Sequence, residues 1–123
     1  MILADTSIWI DHLRGGDRRL SALLEEGGIL GHPFVLGELA LGGLRGRDVV
    51  IDSLEGLPQA QVASHDEVMS MIASRRLWGR GIGLIDAHLL AATALTPEAK
   101  LWTRDRGLDA VARELGLAAD ASA

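Results

Sequence analysis

Met1-Ile2-Leu3-Ala4-Asp5-Thr6-Ser7 decides how this chain is read. A short apolar run stops at a carboxylate followed by two hydroxyl residues. Residues 2–5 therefore predict a buried first strand with Asp5 delivered at its end. Thr6 or Ser7 is then placed to cap a helix carrying Ile8, Trp9, Ile10 and Leu13, closed by Gly15-Gly16. Three more acids stand in comparable settings: Glu38 inside an apolar run, Asp86 at the start of an apolar helix, and Asp105 just after another short strand. Carboxylates at strand ends and helix starts, drawn from distant sequence, are how an α/β fold builds a pocket for hard divalent cations. Such a pocket points to metal-dependent phosphodiester chemistry.

Outward from that start, strand and helix signals alternate. Asp17 is expected to cap a helix with Leu20, Leu23 and Leu24 on one face and Gly27-Gly28 as its stop. Residues 29–32 predict a weak strand, and Pro33 suits the first turn of a helix running to about Leu41. A short helix over 46–56, a strand over 61–63 and a strong helix over 66–78 follow. After the turn at Arg80-Gly81-Ile82-Gly83 come a helix over 84–95, a strand over 101–103 and a last helix from Asp105 to about Leu115. The alternation predicts an α/β fold with a short, mainly parallel central sheet flanked by helices. The 123 residues make one domain, over 1–117, with a frayed tail over 118–123.

Composition narrows the function. Forty-eight percent hydrophobic residues can fill a core, but the aromatics are only Trp9, Phe34, Trp78 and Trp102. With no Cys, disulfides and thiolate metal sites are excluded, and a reducing cytoplasm is the expected setting. Neither a signal peptide nor a membrane span is expected. The net charge of −5 argues against a nucleic-acid partner at face value, yet without the four candidate acids it becomes −5 + 4 = −1. Eleven of the twelve basic residues are Arg, whose planar fork suits phosphate oxygens. Arg104 and Arg106 flank Asp105, and Arg80 precedes Asp86, which makes these three the candidates for contact with a substrate phosphate.

Each acid also has a plain structural role open to it. Asp5 and Asp105 could simply cap helices, and Asp86 could simply answer a helix dipole. Glu38 differs, because its neighbours three and four residues away are Phe34, Val35, Leu41 and Gly42; on such a face a carboxylate needs a cation or hydrogen bonds. Oxygen donors favour Mg²⁺ or Mn²⁺, whereas His12, His32, His65 and His88 are scattered and read as structural or exposed. Thr6, Ser7 and Thr103 could support the ligands or cap helices.

These motifs resemble a known family. Ile2-Leu3-Ala4-Asp5-Thr6-Ser7 is similar to the opening of PIN-domain nucleases, and Phe34-Val35-Leu36-Gly37-Glu38-Leu39 to their second acidic motif. Gly83-Leu84-Ile85-Asp86-Ala87-His88-Leu89-Leu90-Ala91-Ala92 resembles the third, and Leu101-Trp102-Thr103-Arg104-Asp105-Arg106-Gly107-Leu108 the fourth. Order, spacing and length are closest to VapC toxins, the ribonuclease half of type II toxin–antitoxin pairs. The resemblance implies a PIN fold and RNA cleavage dependent on Mg²⁺, with Mn²⁺ as a substitute. It places Asp5, Glu38, Asp86 and Asp105 as catalytic metal ligands, and it implies a homodimer held by a cognate VapB-like antitoxin. Trp9 and Leu13, on helices richer in apolar residues than one sheet face needs, are the expected antitoxin contacts. Two departures stand out: Leu108 replaces a frequent Phe, and Thr96-Pro97-Glu98 replaces a Gly-containing turn; Asp109 is an alternative ligand beside Asp105. The rival readings are a PIN-like scaffold without catalysis and a receiver-like Mg²⁺-dependent signalling domain. The latter would need a central phosphorylatable Asp and a late Lys, for which Asp52 and Lys100 are the nearest residues.

Overall fold

The computed structural model describes residues 1–120. Three short parallel strands form the central sheet in the order β2-β1-β3: β1 over Ile2–Ala4, β2 over Ile29–Leu30 and β3 over Lys100–Trp102. β1 lies in the middle, with Leu3 opposite Leu30 on one side and Leu101 on the other, and Ala4 opposite Trp102. Leu3, Ala4 and Leu101 are fully buried, as parallel strands covered on both faces must be. Seven helices surround the sheet among the described residues: α1 (Thr6–Gly15), α2 (Arg18–Glu25), α3 (Pro33–Leu41), α4 (Arg47–Glu55), α5 (His65–Arg75), α6 (Leu84–Leu95) and α7 (Arg106–Glu114).

Local signals explain most boundaries. Asp17 caps α2 through Leu20 N–H at 2.8 Å, and Pro33 opens α3. Ser64 and Glu67 close a reciprocal capping box on α5. α6 is buried from Ala87 through Thr93 and forms the central helix. Its Ala87 and Ala91 pack against Val68 of α5, and their small size allows the close approach.

The structure corrects several expectations. β1 stops at Ala4, and the residue capping α1 is Asp5, not Thr6 or Ser7. α5 ends at Arg75 rather than Trp78, because Arg76 turns into the left-handed region (φ 56°) while its N–H still reaches Ile72 O. Residues 61–63 form no strand. The pairing falls earlier, as a parallel bridge between Gly31 and Gln59. Ala118 pairs with Leu101 at the opposite sheet edge, and Ala119 N–H donates to Leu101 O at 2.8 Å, so the tail does not fray there. The remaining tail positions, 121–123, lie outside the described residues. In the turn before β3, Glu98 takes the positive φ (62°) that a glycine would adopt without strain.

Candidate active site

Asp5 is buried at the C-terminal end of the central strand. Its Oδ1 accepts from the N–H groups of Ser7 (2.9 Å) and Ile8 (3.4 Å) and from the Ser7 hydroxyl. Its Oδ2 accepts from the Thr103 hydroxyl, brought alongside by the parallel register of β1 with β3. Capping and site-building are thus done by one carboxylate. Thr103 and Ser7 carry the network further. Thr103 Oγ1 accepts from Asp105 N–H at 3.0 Å, and Ser7 Oγ accepts from Arg104 N–H at 3.1 Å. The loop bearing Asp105 is therefore bonded directly to the hydroxyls that hold Asp5.

Asp105 caps α7, with its Oδ1 accepting from Leu108 N–H at 3.0 Å. Asp86 sits in the first turn of α6 and accepts from Gly83 N–H at 3.0 Å through Oδ2. Three helix N-termini thus carry one acid each, with partial positive charge behind every carboxylate. Burial pushes the Asp86 carboxyl above its usual range. The Gly83 N–H opposes that shift, while the charges of Asp105 and Asp5 reinforce it. Asp5, Asp86 and Asp105 consequently share one electrostatic environment.

Glu38 departs from the expectation drawn from its neighbours. It is exposed, as is Phe34, and Leu41 is almost wholly so. That part of α3 faces outward, and Glu38 is steadied by the Thr6 hydroxyl, which donates to its Oε1 at 2.6 Å. Thr6 is the first residue of α1, so this bond ties Glu38 to the helix that Asp5 caps.

Among the described residues no three acidic or imidazole groups stand close enough to enclose a metal ion by themselves. The charges of Asp105 and Asp5 nevertheless reach the Asp86 carboxyl. The donor set fits a hard divalent cation that keeps several waters and takes one or two carboxylates, as Mg²⁺ does. Oδ1 of Asp86, Oδ2 of Asp105 and Oε2 of Glu38 accept no hydrogen bond among the described residues, which leaves one oxygen on each for an ion or its water.

The other candidates fall into two groups. Arg80 forms a two-pronged pair with Glu114 at 2.9 and 2.8 Å, and Arg104 pairs with Asp11 (2.5 Å) and Asp17 (2.7 Å). Asp109 pairs with Arg113 at 2.8 Å. Arg106 is exposed and has no ion-pair partner among the described residues. The receiver-like arrangement does not assemble: Asp52 lies in α4, and the Lys100 ammonium donates to Gly116 O at 2.7 Å.

Trp9 and Leu13 line an apolar groove of about 250 Å³ between α1, α2 and α4, together with Leu24, Val50, Leu54 and Leu57. Trp9 is nearly buried and forms the floor, while Leu13 is partly exposed. A second groove, lined by Ile10, Leu44 and Arg45, continues from it across the shared Leu13 and Val50.

Sequence reading missed a buried imidazole pair. His32 caps α3 by accepting Phe34 N–H on Nδ1 at 3.0 Å, and the Phe34 ring packs edge-on against both His32 (5.3 Å) and His88 (4.8 Å). Because Nδ1 is an acceptor, neutral His32 carries its proton on Nε2. Burial, then the neighbouring His88, pushes its pKa down to about 4. The available signals were a histidine directly before Pro33 and another within the apolar run of α6.

A family model for the PIN domain matches residues 2–114. Ribonuclease VapC32 of Mycobacterium tuberculosis, from strains CDC 1551 and H37Rv, is 52% identical over 118 residues, covering 96% of this chain and 95% of that protein.

Proposed function

This chain belongs to the PIN-domain family, in its VapC-type branch, and we propose that it is an endoribonuclease acting as the toxin of a toxin–antitoxin pair. The observation that supports the catalytic part is the Asp86 carboxyl, raised first by burial and further by the charges of Asp105 and Asp5. Asp86, Asp105 and Glu38 would hold Mg²⁺, or Mn²⁺ in its place, through their uncommitted oxygens, with Asp5 completing the site. Bound there, the cation supplies an activated water for attack on phosphorus and charge to stabilise the leaving 3′ oxygen.

The chain's own residues do the rest. Ser7 and Thr103 fix the orientation of Asp5 by donating to both of its oxygens. Gly83 N–H orients Asp86. The N-termini of α1, α6 and α7, each carrying one of these acids, would favour the phosphate that must approach. Thr6 steadies Glu38 at the outer rim.

The apolar groove over Trp9 and Leu13 suits the apolar face of an amphipathic antitoxin helix, a VapB-like partner. A homodimer would cover exposed apolar residues such as Leu41 and Met69. The setting proposed is the cytoplasm; among the described residues no helix is long and apolar enough to cross a membrane.

Cleavage of labelled RNA with and without divalent cation tests the reading. Asp86→Asn keeps the side-chain size and removes a negative ligand, so cleavage should vanish while far-UV circular dichroism stays unchanged. Wild-type cleavage rates in that variant would exclude the assigned centre, and metal-dependent rates near zero in the wild type would favour the silent scaffold.

A further inference from the structure

Trp78 is the conspicuous residue the catalytic reading leaves unused. Its indole is 64% exposed, whereas Trp9 and Trp102 are 5% and 7% exposed. It is not on a loose segment. The preceding residue, Leu77, is buried, and its N–H donates to Ile72 O at 3.0 Å. Gly79 and Gly81 then take positive φ angles of 69° and 78°, turning the chain back toward α6. The loop is therefore anchored on one side and presents the ring on the other.

Beside the ring lies an apolar pocket of about 220 Å³, walled by Ile72, Leu77, Ile82, Leu84 and Ala87 together with Gly83. Leu84 is itself half exposed. Gly83 belongs to both places, since its N–H donates to the Asp86 carboxylate. The pocket and the acidic centre are thus adjoining faces of one helix N-terminus.

Charge selects the occupant. From Val68 to Ile85 the chain contains no acidic residue and three arginines, Arg75, Arg76 and Arg80, in a molecule whose net charge is −5. Arg80 is paired with Glu114, but Arg75 and Arg76 have no ion-pair partner among the described residues. An exposed indole, an apolar slot beside it and unpaired arginines two and three residues earlier in the chain match an unpaired nucleobase with its flanking phosphates. An apolar peptide would leave the arginines unused, and a phosphate alone would leave the indole unused.

We propose that Trp78 and the pocket beside it form a stacking subsite for an unpaired RNA base next to the acidic centre. The subsite rests on the ribonuclease reading and deepens it: the substrate is single-stranded at the cut, and the grip is on the ring face of a base rather than on its hydrogen-bonding edge. Recognition there is accordingly tolerant of base identity.

The test uses the whole chain in EDTA, so that binding is read without cleavage. Oligouridylate is titrated against tryptophan emission. Since Trp78 is the one exposed indole among the described residues, stacking should quench emission in the wild type and not in Trp78→Phe, which keeps an aromatic face and should bind within about threefold. Trp78→Ala should bind about 5- to 150-fold more weakly, the range set by one lost stacking contact of ~1–3 kcal/mol, with the salt dependence unchanged. Arg75→Ala and Arg76→Ala should each lower the salt slope by about 0.7. An oligomer with abasic sugars should bind without quenching. Undiminished binding by Trp78→Ala overturns the subsite, and metal-dependent, Asp86-dependent cleavage would then still support the ribonuclease reading. Conversion of a dimer to a monomer by Trp78→Ala in sedimentation velocity also overturns it, assigning the surface to self-association. A wild type that neither binds nor cleaves RNA overturns both readings together.

Discussion

Lowering the pH from 7 to 5 should cost the native state roughly 2 kcal/mol through His32 alone. The ring is only 1% exposed, and its Nδ1 is occupied by the Phe34 N–H, so a second proton would have to displace the cap of α3. Burial and His88 hold its pKa at about 4, against an ordinary value of 6.5. Above pH 7 the ring is neutral in both folded and unfolded chains and contributes nothing to the pH dependence. Below about 6.5 the unfolded chain takes up a proton that the native one refuses. Stability then falls with decreasing pH, by up to about 1.4 kcal/mol per unit, and levels off below the folded pKa. The window from 7 to 5 captures most of a total near 3 kcal/mol and avoids the carboxylate range. The raised Asp86 carboxyl works in the opposite sense at lower pH, since there the native state protonates first. Urea unfolding at pH 7, 6 and 5 measures the effect, with His32→Asn as reference, because an Asn oxygen can accept at the same cap without titrating. The difference between the two proteins should change by roughly 2 kcal/mol across the series. Parallel stability curves would refute the assignment of a neutral, buried His32.

Asp5→Asn and Asp86→Asn should both abolish RNA cleavage but separate in metal-free thermal melts. Asp86→Asn should hold or raise Tm by relieving repulsion, while Asp5→Asn should lose about 1–3 kcal/mol because Thr103 and Ser7 both donate to that carboxylate. Arg106→Ala should weaken RNA binding and lower its salt slope by about 0.7, whereas Arg104→Ala, which frees Asp11 and Asp17 at the surface, should leave the slope unchanged and destabilise by no more than about 1 kcal/mol. Trp9→Ala should cost about 3–5 kcal/mol in chemical unfolding as a core deletion. Leu13→Ser should keep the fold and RNA cleavage but weaken capture of an amphipathic antitoxin peptide in a binding titration.

Much of the fold was legible because its signals are local. Pro33 opening α3, Asp17 capping α2, Gly83 preceding α6 and the apolar run of β1 all act within a few residues of where they are read. The same holds for Asp105, whose capping bond to Leu108 spans three positions. The misses are of another kind. Glu38 has apolar neighbours in helical register, and that pattern implied burial; its exposure depends on which elements cover α3. Sequence distance also says nothing of the carboxylates that Arg104 and Arg80 pair with, each 34 or more positions away. The expectation of a loose end at Ala118 failed for the same reason, since Leu101 offers that segment an unpaired strand edge.

By itself the sequence determined an alternating α/β chain with Asp5, Asp86 and Asp105 at helix starts, and PIN-type motifs in order. Periodicity, capping chemistry and turn residues act through the nearest few peptide units. Tertiary structure alone decided that Thr103 donates to Asp5 across 98 positions, that His32 and His88 meet around one Phe34 ring, and that Asp86 feels the charges of Asp5 and Asp105. Those relations follow from the parallel register that sets Ala4 opposite Trp102 and from the packing of α6 against the core. Register and packing are settled by burial summed over the whole chain, which no short stretch of it contains.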